Sequence, residues 1–277
     1  MTLDAAEHAK PHPRWLKPFA RLGYAARGLV YLVIGFFAVL AGFAGGQNRD
    51  AEAAIRFLSE NAAGTVLVLV LIVGLAGYSA WRIVQSVFDT DDHGFSITGL
   101  GVRAGLLASA GTYALLTLYT FSLWWGAGGF GSDGGSGGGG FAQWLSGFVG
   151  ARPAALALAA VFLVVAGAHA WKALTRKYER YIAASPDTMR LIHPVAIGGL
   201  LARGVVFFLV ALLFYRRGLT AGEDGGNPGL KEALDYILSL PAGTWLLGAV
   251  GLGLVAFAAY SFAEALWRRI NVEEAGR

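Results

Sequence analysis

Six stretches of the chain run for twenty residues or more with few polar positions, at about Leu22–Ala44, Gly64–Phe88, Leu100–Trp125, Pro153–Leu174, Pro194–Leu219 and Gly243–Trp267. A helix needs about 20 mostly apolar residues to cross a bilayer, so each stretch is predicted to be a transmembrane helix. A short amphipathic segment precedes each even-numbered stretch: DAEAAIRFLSE, GGFAQWLSGFVG and GLKEALDYILSLP. Each is predicted to be a short helix lying in the outer interface, apolar side down. Trp81, Trp124, Trp125, Trp171, Trp245 and Trp267 gather near the ends of the stretches, where an amphipathic ring suits the membrane surface. Residues 1–20 are polar and proline-rich and read as a cytoplasmic tail. The first apolar stretch exceeds the roughly 7–15-residue core of a cleaved signal peptide.

The pattern repeats. RLGYAARGLVYLVIG (Arg21–Gly35) is echoed by RAGLLASAGTYALLT (Arg103–Thr117) and IGGLLARGVVFFLVA (Ile197–Ala211). The register aligns Gly23, Gly105 and Gly199, and Tyr31, Tyr113 and Phe207. It aligns Arg27 and Arg203, with Ser109 between them in the second copy. Further on, Gly64–Thr65 matches Gly243–Thr244, and Trp81–Arg82 matches Trp171–Lys172. The unit is span, interfacial helix, span, at residues 21–95, 96–182 and 183–270, followed by a tail at 271–277, with all three units in one membrane domain. A unit of two spans returns the chain to its starting side, so successive units run parallel about an axis along the membrane normal. The predicted fold class is all-α: an integral membrane protein of six transmembrane helices in three parallel two-helix repeats, forming a pseudo-threefold bundle.

Charge sets the orientation. With the first segment inside, only Arg49, Arg56, Arg152, Arg216, Arg217 and Lys231 of the 22 Lys and Arg residues fall on the outer side. This positive-inside bias puts both termini in the cytoplasm. Only 14% of residues are charged, against about 25% in a soluble domain. The net charge is +4. Because the basic residues flank apolar spans, the expected partners are the bilayer and anionic lipid head groups, and not nucleic acid. The absence of cysteine excludes disulfides, thiolate metal sites, iron–sulfur clusters and thiol nucleophiles. Gly126–Gly140 reads as a flexible outer linker.

Candidate chemistry lies near the inner ends of the spans. Arg27, Ser109 and Arg203 form one layer, with Arg21 and Arg103 about a turn nearer the cytoplasm. Arg82 and Lys172 lie at a similar depth, followed by Gln85, Thr175 and Glu264. A charge deep in a membrane helix costs about 2.5–3.5 kcal/mol on insertion scales, so it turns inward or reaches the interface. One reading is a basic vestibule at the inner opening, with Glu264 as counter-charge to Arg27 or Arg203, suited to an anion, a phosphate-bearing solute or a lipid head group. The other is snorkelling anchors with one structural ion pair. His169 sits deep in the fourth span as a packing histidine or a proton relay. No second His, Asp or Glu lies in the span centres to complete a relay or a metal site. His193 reads as a helix cap or interface residue. Gly101-x-x-x-Gly105 and Ala38-x-x-x-Gly42 predict close helix approach within the chain, with a homo-oligomer contact as the alternative use.

The three-fold unit with its basic glycine–aromatic opening, RLGYAARGLVY and LLARGVVF, resembles the bacterial membrane proteins grouped as domain of unknown function 1206. The resemblance covers about residues 20–270. It implies paired transmembrane helices occurring about three times per chain and a bacterial inner-membrane location, with no activity or cofactor.

Two functions follow. A channel or transporter would carry a small ion or anionic solute along the pseudo-threefold axis. A non-transporting lipid-binding or scaffold protein would account better for the apolar span centres. Nucleophile, acid pair and metal set are all missing from the sequence pattern, so no enzyme is expected.

Overall fold

The computed structural model describes residues 16–44, 55–56, 59, 64–91, 94–125, 140–220 and 230–270. The spans are α1 (Leu16–Ala44), α2 (Gly64–Phe88), α3 (Ile97–Trp124), α5 (Ala151–Leu174), α6 (Pro186–Leu219) and α8 (Gly243–Trp267). Two short helices, α4 (Gly140–Val149) and α7 (Leu230–Leu238), precede α5 and α8, where interfacial helices were expected. Most of the third such segment, between α1 and α2, lies outside the described residues, as does nearly all of the glycine-rich linker. All six spans are long and apolar enough to cross a membrane, and the protein is a multi-pass membrane protein.

Three spans begin three or more residues earlier than the apolar pattern predicts. α1 is helical from Leu16, and Pro18 is tolerated this near its start, where a missing N–H would have no intrahelical partner in any case. α3 begins at Ile97 because the Ser96 hydroxyl accepts from the Gly99 N–H at 3.1 Å, satisfying one of the unpaired donors of the first turn. α6 begins eight residues early: Ser185 caps the Thr188 N–H at 3.3 Å and Pro186 sits in the first turn. Pro194 and His193 therefore lie inside the helix. His193 is not a cap; its Nδ1 meets the Tyr178 hydroxyl at 2.9 Å.

The spans neighbour one another in the row α3–α2–α1–α8–α6–α5. The α1–α8 contact is built on glycines. A Cβ on Gly42 would lie 2.7 Å from the Thr244 carbonyl oxygen, and one on Gly251 would lie 2.8 Å from the Val39 nitrogen. The expected close approach at Ala38-x-x-x-Gly42 is made here, and Gly248 and Gly251 serve packing against α1. Gly101-x-x-x-Gly105 does not behave as expected. A Cβ on either glycine meets nothing within 4 Å, because α3 and α5, the two ends of the row, make only marginal contact among the described residues.

In the half of the bundle toward the starts of the even spans, Ile34, Leu71, Leu116, Leu158, Phe214 and Leu247 are buried in one apolar core. Phe162 stacks on Phe207 and Phe214 there, at 5.9 and 5.6 Å between ring centroids. The opposite half, toward the ends of the even spans, holds the buried charged residues Arg27, Glu264 and Arg268.

Candidate functional site

The charged half encloses a cavity of about 260 Å³ lined from all six spans. Arg27, Arg82, Lys172, Arg203 and Arg268 face it, against two carboxylates, Asp91 and Glu264. His169, Leu106, Tyr181 and Tyr260 complete much of the wall.

One wall carries both carboxylates. Glu264 accepts from Arg27 Nη2 at 2.5 Å through one oxygen and from Arg268 Nη1 at 2.6 Å through the other. Arg27 also donates to Tyr78 OH at 2.6 Å and to Ser261 Oγ at 3.1 Å, so each of its three nitrogens is engaged. Arg268 Nη2 reaches Asp91 at 3.4 Å, and Gln85 donates to the same carboxylate oxygen at 2.9 Å. Arg82 donates to Tyr78 OH and, at 3.2 Å, to Gln85. Burial works against the Arg268 charge, but Tyr24, Glu264 and Asp91 more than offset it, so its pKa stands above the ordinary guanidinium value. The i,i+4 spacing of Glu264 and Arg268 at the end of α8 puts both on one helix face.

The facing wall is not neutralised. Among the described residues, Arg203 and Lys172 form no ion pair. Arg203 lies against aromatic rings instead, 4.7 Å from the Phe257 centroid and 5.0 Å from that of Phe207. Its Nε is buried without a hydrogen-bond partner. Lys172 stands over Tyr260 and Tyr181 at 5.5 and 5.7 Å. Ring faces attract cations but leave the net charge in place. Between them, His169 Nδ1 contacts the Val165 carbonyl at 2.8 Å. A carbonyl only accepts, so Nδ1 carries the proton and Nε2 is left as an acceptor when the ring is neutral.

A short 3₁₀ turn at Glu179–Tyr181 roofs the cavity. It is tied down where Ala183 N donates to the Trp267 carbonyl at 2.7 Å and Arg269 N donates to that of Tyr181 at 2.8 Å.

Of the candidates read from sequence, Arg27, Arg82, His169, Lys172, Arg203 and Glu264 line this one cavity. Gln85 sits behind the wall, fully buried, as a bridge between Arg82 and Asp91. Arg103 lies elsewhere. It donates to the Ser86 and Val87 carbonyls at 2.7 and 3.0 Å and caps the end of α2. Glu264 pairs with Arg27, not Arg203. Arg268 and Asp91 also join the site, although neither is among the candidates read from sequence. The spacing of Glu264 and Arg268 was the available signal.

The family whose model matches residues 22–89 and 198–268 is described as Domain of Unknown Function (DUF1206). A Bacillus subtilis (strain 168) protein described as "Uncharacterized protein YxxB" is 28% identical over 272 residues, covering 94% of each chain. No solved structure matches.

Proposed function

The chain belongs to the DUF1206 family, and from its own geometry we propose that it binds a small anionic group, of the phosphate class, in the basic cavity. The observation that carries this is the facing wall: Arg203 and Lys172 border the space without a carboxylate, and Arg203 Nε has no partner. Five cationic side chains against two acidic ones leave a surplus that the described residues do not balance. Buried charge is retained at such cost when it is paired or used, and an anion would supply both the charge and the missing acceptors. The positive-inside bias puts the cavity in the cytoplasmic half of the membrane. The reading is of a binding protein, not an enzyme.

Titration of purified protein with inorganic phosphate, sulfate and acetate tests it. Wild type should bind phosphate or sulfate, and Lys172→Gln with Arg203→Gln should weaken binding at least tenfold. Equal binding by the double variant, or no anion binding by wild type, would overturn it.

A transport reading has one observation in its favour: Arg27, His169, Arg203 and Glu264 all face the same cavity. The apolar core filling the other half of the bundle weighs against an open channel, so a conducting path needs a rearrangement of that core. Flux of protons or small anions into liposomes, above the empty-vesicle leak and altered by Arg27→Ala plus Arg203→Ala, would make the cavity a stage of such a path. Three parallel repeats about a common axis remain our proposal for the architecture, supported by the register of the three glycine–aromatic openings.

A further inference from the structure

We infer that the seam between α3 and α5 is a lateral opening through which an anionic phospholipid places its phosphate in the basic cavity while its acyl chains stay in the bilayer. This rests on the anion-binding reading above.

Three equivalent positions make the argument. Gly23 of α1 packs directly on Tyr78 of α2, and a Cβ on Gly199 of α6 would lie 2.5 Å from the Phe257 backbone of α8. The register of Gly64–Thr65 with Gly243–Thr244 makes Tyr78 and Phe257 counterparts. The register of Trp81–Arg82 with Trp171–Lys172 makes Ala168 the counterpart of Tyr78. Two repeats thus close their helix pair with an aromatic residue against a glycine. The middle repeat has Gly105 and Ala168 at those positions. A Cβ on Gly105 meets nothing within 4 Å. Ala168 is exposed and borders the cavity, which Val102 and Leu106 from α3 also line. Where the other pairs bring a glycine against the backbone of the facing helix, this one stays apart and leaves a gap in the cavity wall.

The gap faces lipid. In their most apolar windows only 39% of α3 and 28% of α5 are buried, less than in any other span. Lys172, one helical turn beyond Ala168, shares its face and stands unpaired at the inner edge of the gap. Deeper in, Arg203 Nε and Arg268 Nε are buried without hydrogen-bond partners, and Arg268 as a whole is only 6% exposed. A cavity of about 260 Å³ has room for a phosphate group and a few waters of about 30 Å³ each. It has no room for acyl chains, which must remain outside. The surplus positive charge selects an anionic head group over a zwitterionic one.

Full-length protein, delipidated in detergent, would be offered phosphatidylglycerol or phosphatidylcholine and its bound lipid counted by native mass spectrometry. Inorganic phosphate binding would be measured on the same preparations. Phosphatidylglycerol should be retained at least tenfold better than phosphatidylcholine. Lys172→Gln with Arg203→Gln should lose both lipid and phosphate. Ala168→Phe puts a ring into the gap, and it should abolish lipid retention. Because the chain has no cysteine, Ala168→Cys supplies a single thiol. Capping it with a benzyl thiosulfonate should block lipid, and a reductant should restore it, which separates blocking from misfolding. Phosphate binding without preferential lipid retention, or lipid retention indifferent to both Ala168 changes, would overturn the lateral opening and leave the anion site standing. Binding of neither phosphate nor lipid would overturn both.

Discussion

Glu264 accepts a hydrogen bond from Arg27 at 2.5 Å with both side chains almost sealed from solvent, 2% and 3% exposed. Arg27 comes from α1 and Glu264 from α8, so the pair bolts together the most extensive helix contact among the described residues. Removing one partner of a buried pair leaves an uncompensated charge and costs about 3–5 kcal/mol. Glu264→Ala should therefore lower the thermal midpoint in detergent by more than any other single cavity substitution. Arg27→Met with Glu264→Leu should recover part of the loss, because it removes both charges together. A double variant as unstable as the sum of the two singles would mean that the residues are not energetically coupled.

The two glycines Gly199 and Gly105 occupy equivalent places in the sequence pattern and opposite environments in the fold. Gly199→Ala drives a methyl into the Phe257 backbone, and overpacking of this kind costs about 1–3 kcal/mol. Gly105→Ala enters open space and should be neutral or stabilising, since Ala exceeds Gly in helix propensity by about 1 kcal/mol. Thermal midpoints of the two variants check this. Equal destabilisation would mean that α3 and α5 close against each other.

How much of this was legible in the chain follows from which signals are local. Spans of membrane length need only a run of apolar residues, and α2 and α8 fall where the hydropathy places them. The early start of α6 depends on a serine cap and Pro186, which act before the apolar run begins. The gathering of Arg27, Lys172, Arg203 and Glu264 followed from their common depth in the register. Their partners did not follow. Glu264 chose Arg27 and Arg268 over Arg203 because of the rotation of each helix about its axis, which depth alone leaves open. The fate of Gly101-x-x-x-Gly105 was illegible for the same reason: the motif says that a helix can approach closely, not that one does.

Among the described residues Arg203 has no ion pair to lose. Arg203→Met keeps the length and apolar stem against Phe207 and Phe257 while deleting a buried charge, a change that is often neutral or stabilising for buried ionic groups. The thermal midpoint should stay level or rise, while phosphate affinity falls at least tenfold, or about 1.4 kcal/mol. A clear loss of stability with affinity intact would make Arg203 a structural residue whose partner is the ring cluster itself.

Arg103 provides the contrast that separates the site from its scaffold. It stands one register step from the cavity layer in sequence, yet its guanidinium spans from α3 to the last turn of α2 and takes up two backbone carbonyls there. The last turn of a helix presents four carbonyls without intrahelical donors, and a cation placed on them also opposes the negative end of the helix dipole. Arg103→Ala removes both effects. It should cost about 1–2 kcal/mol on the scale of charge-assisted hydrogen bonds at a partly exposed end. Hydrogen exchange should quicken at residues 84–88, where the end of α2 frays. Phosphate affinity should stay within twofold of wild type, because Arg103 does not border the cavity. A tenfold loss of affinity at unchanged stability would instead make Arg103 part of the binding surface and extend the basic layer to the outside of the bundle.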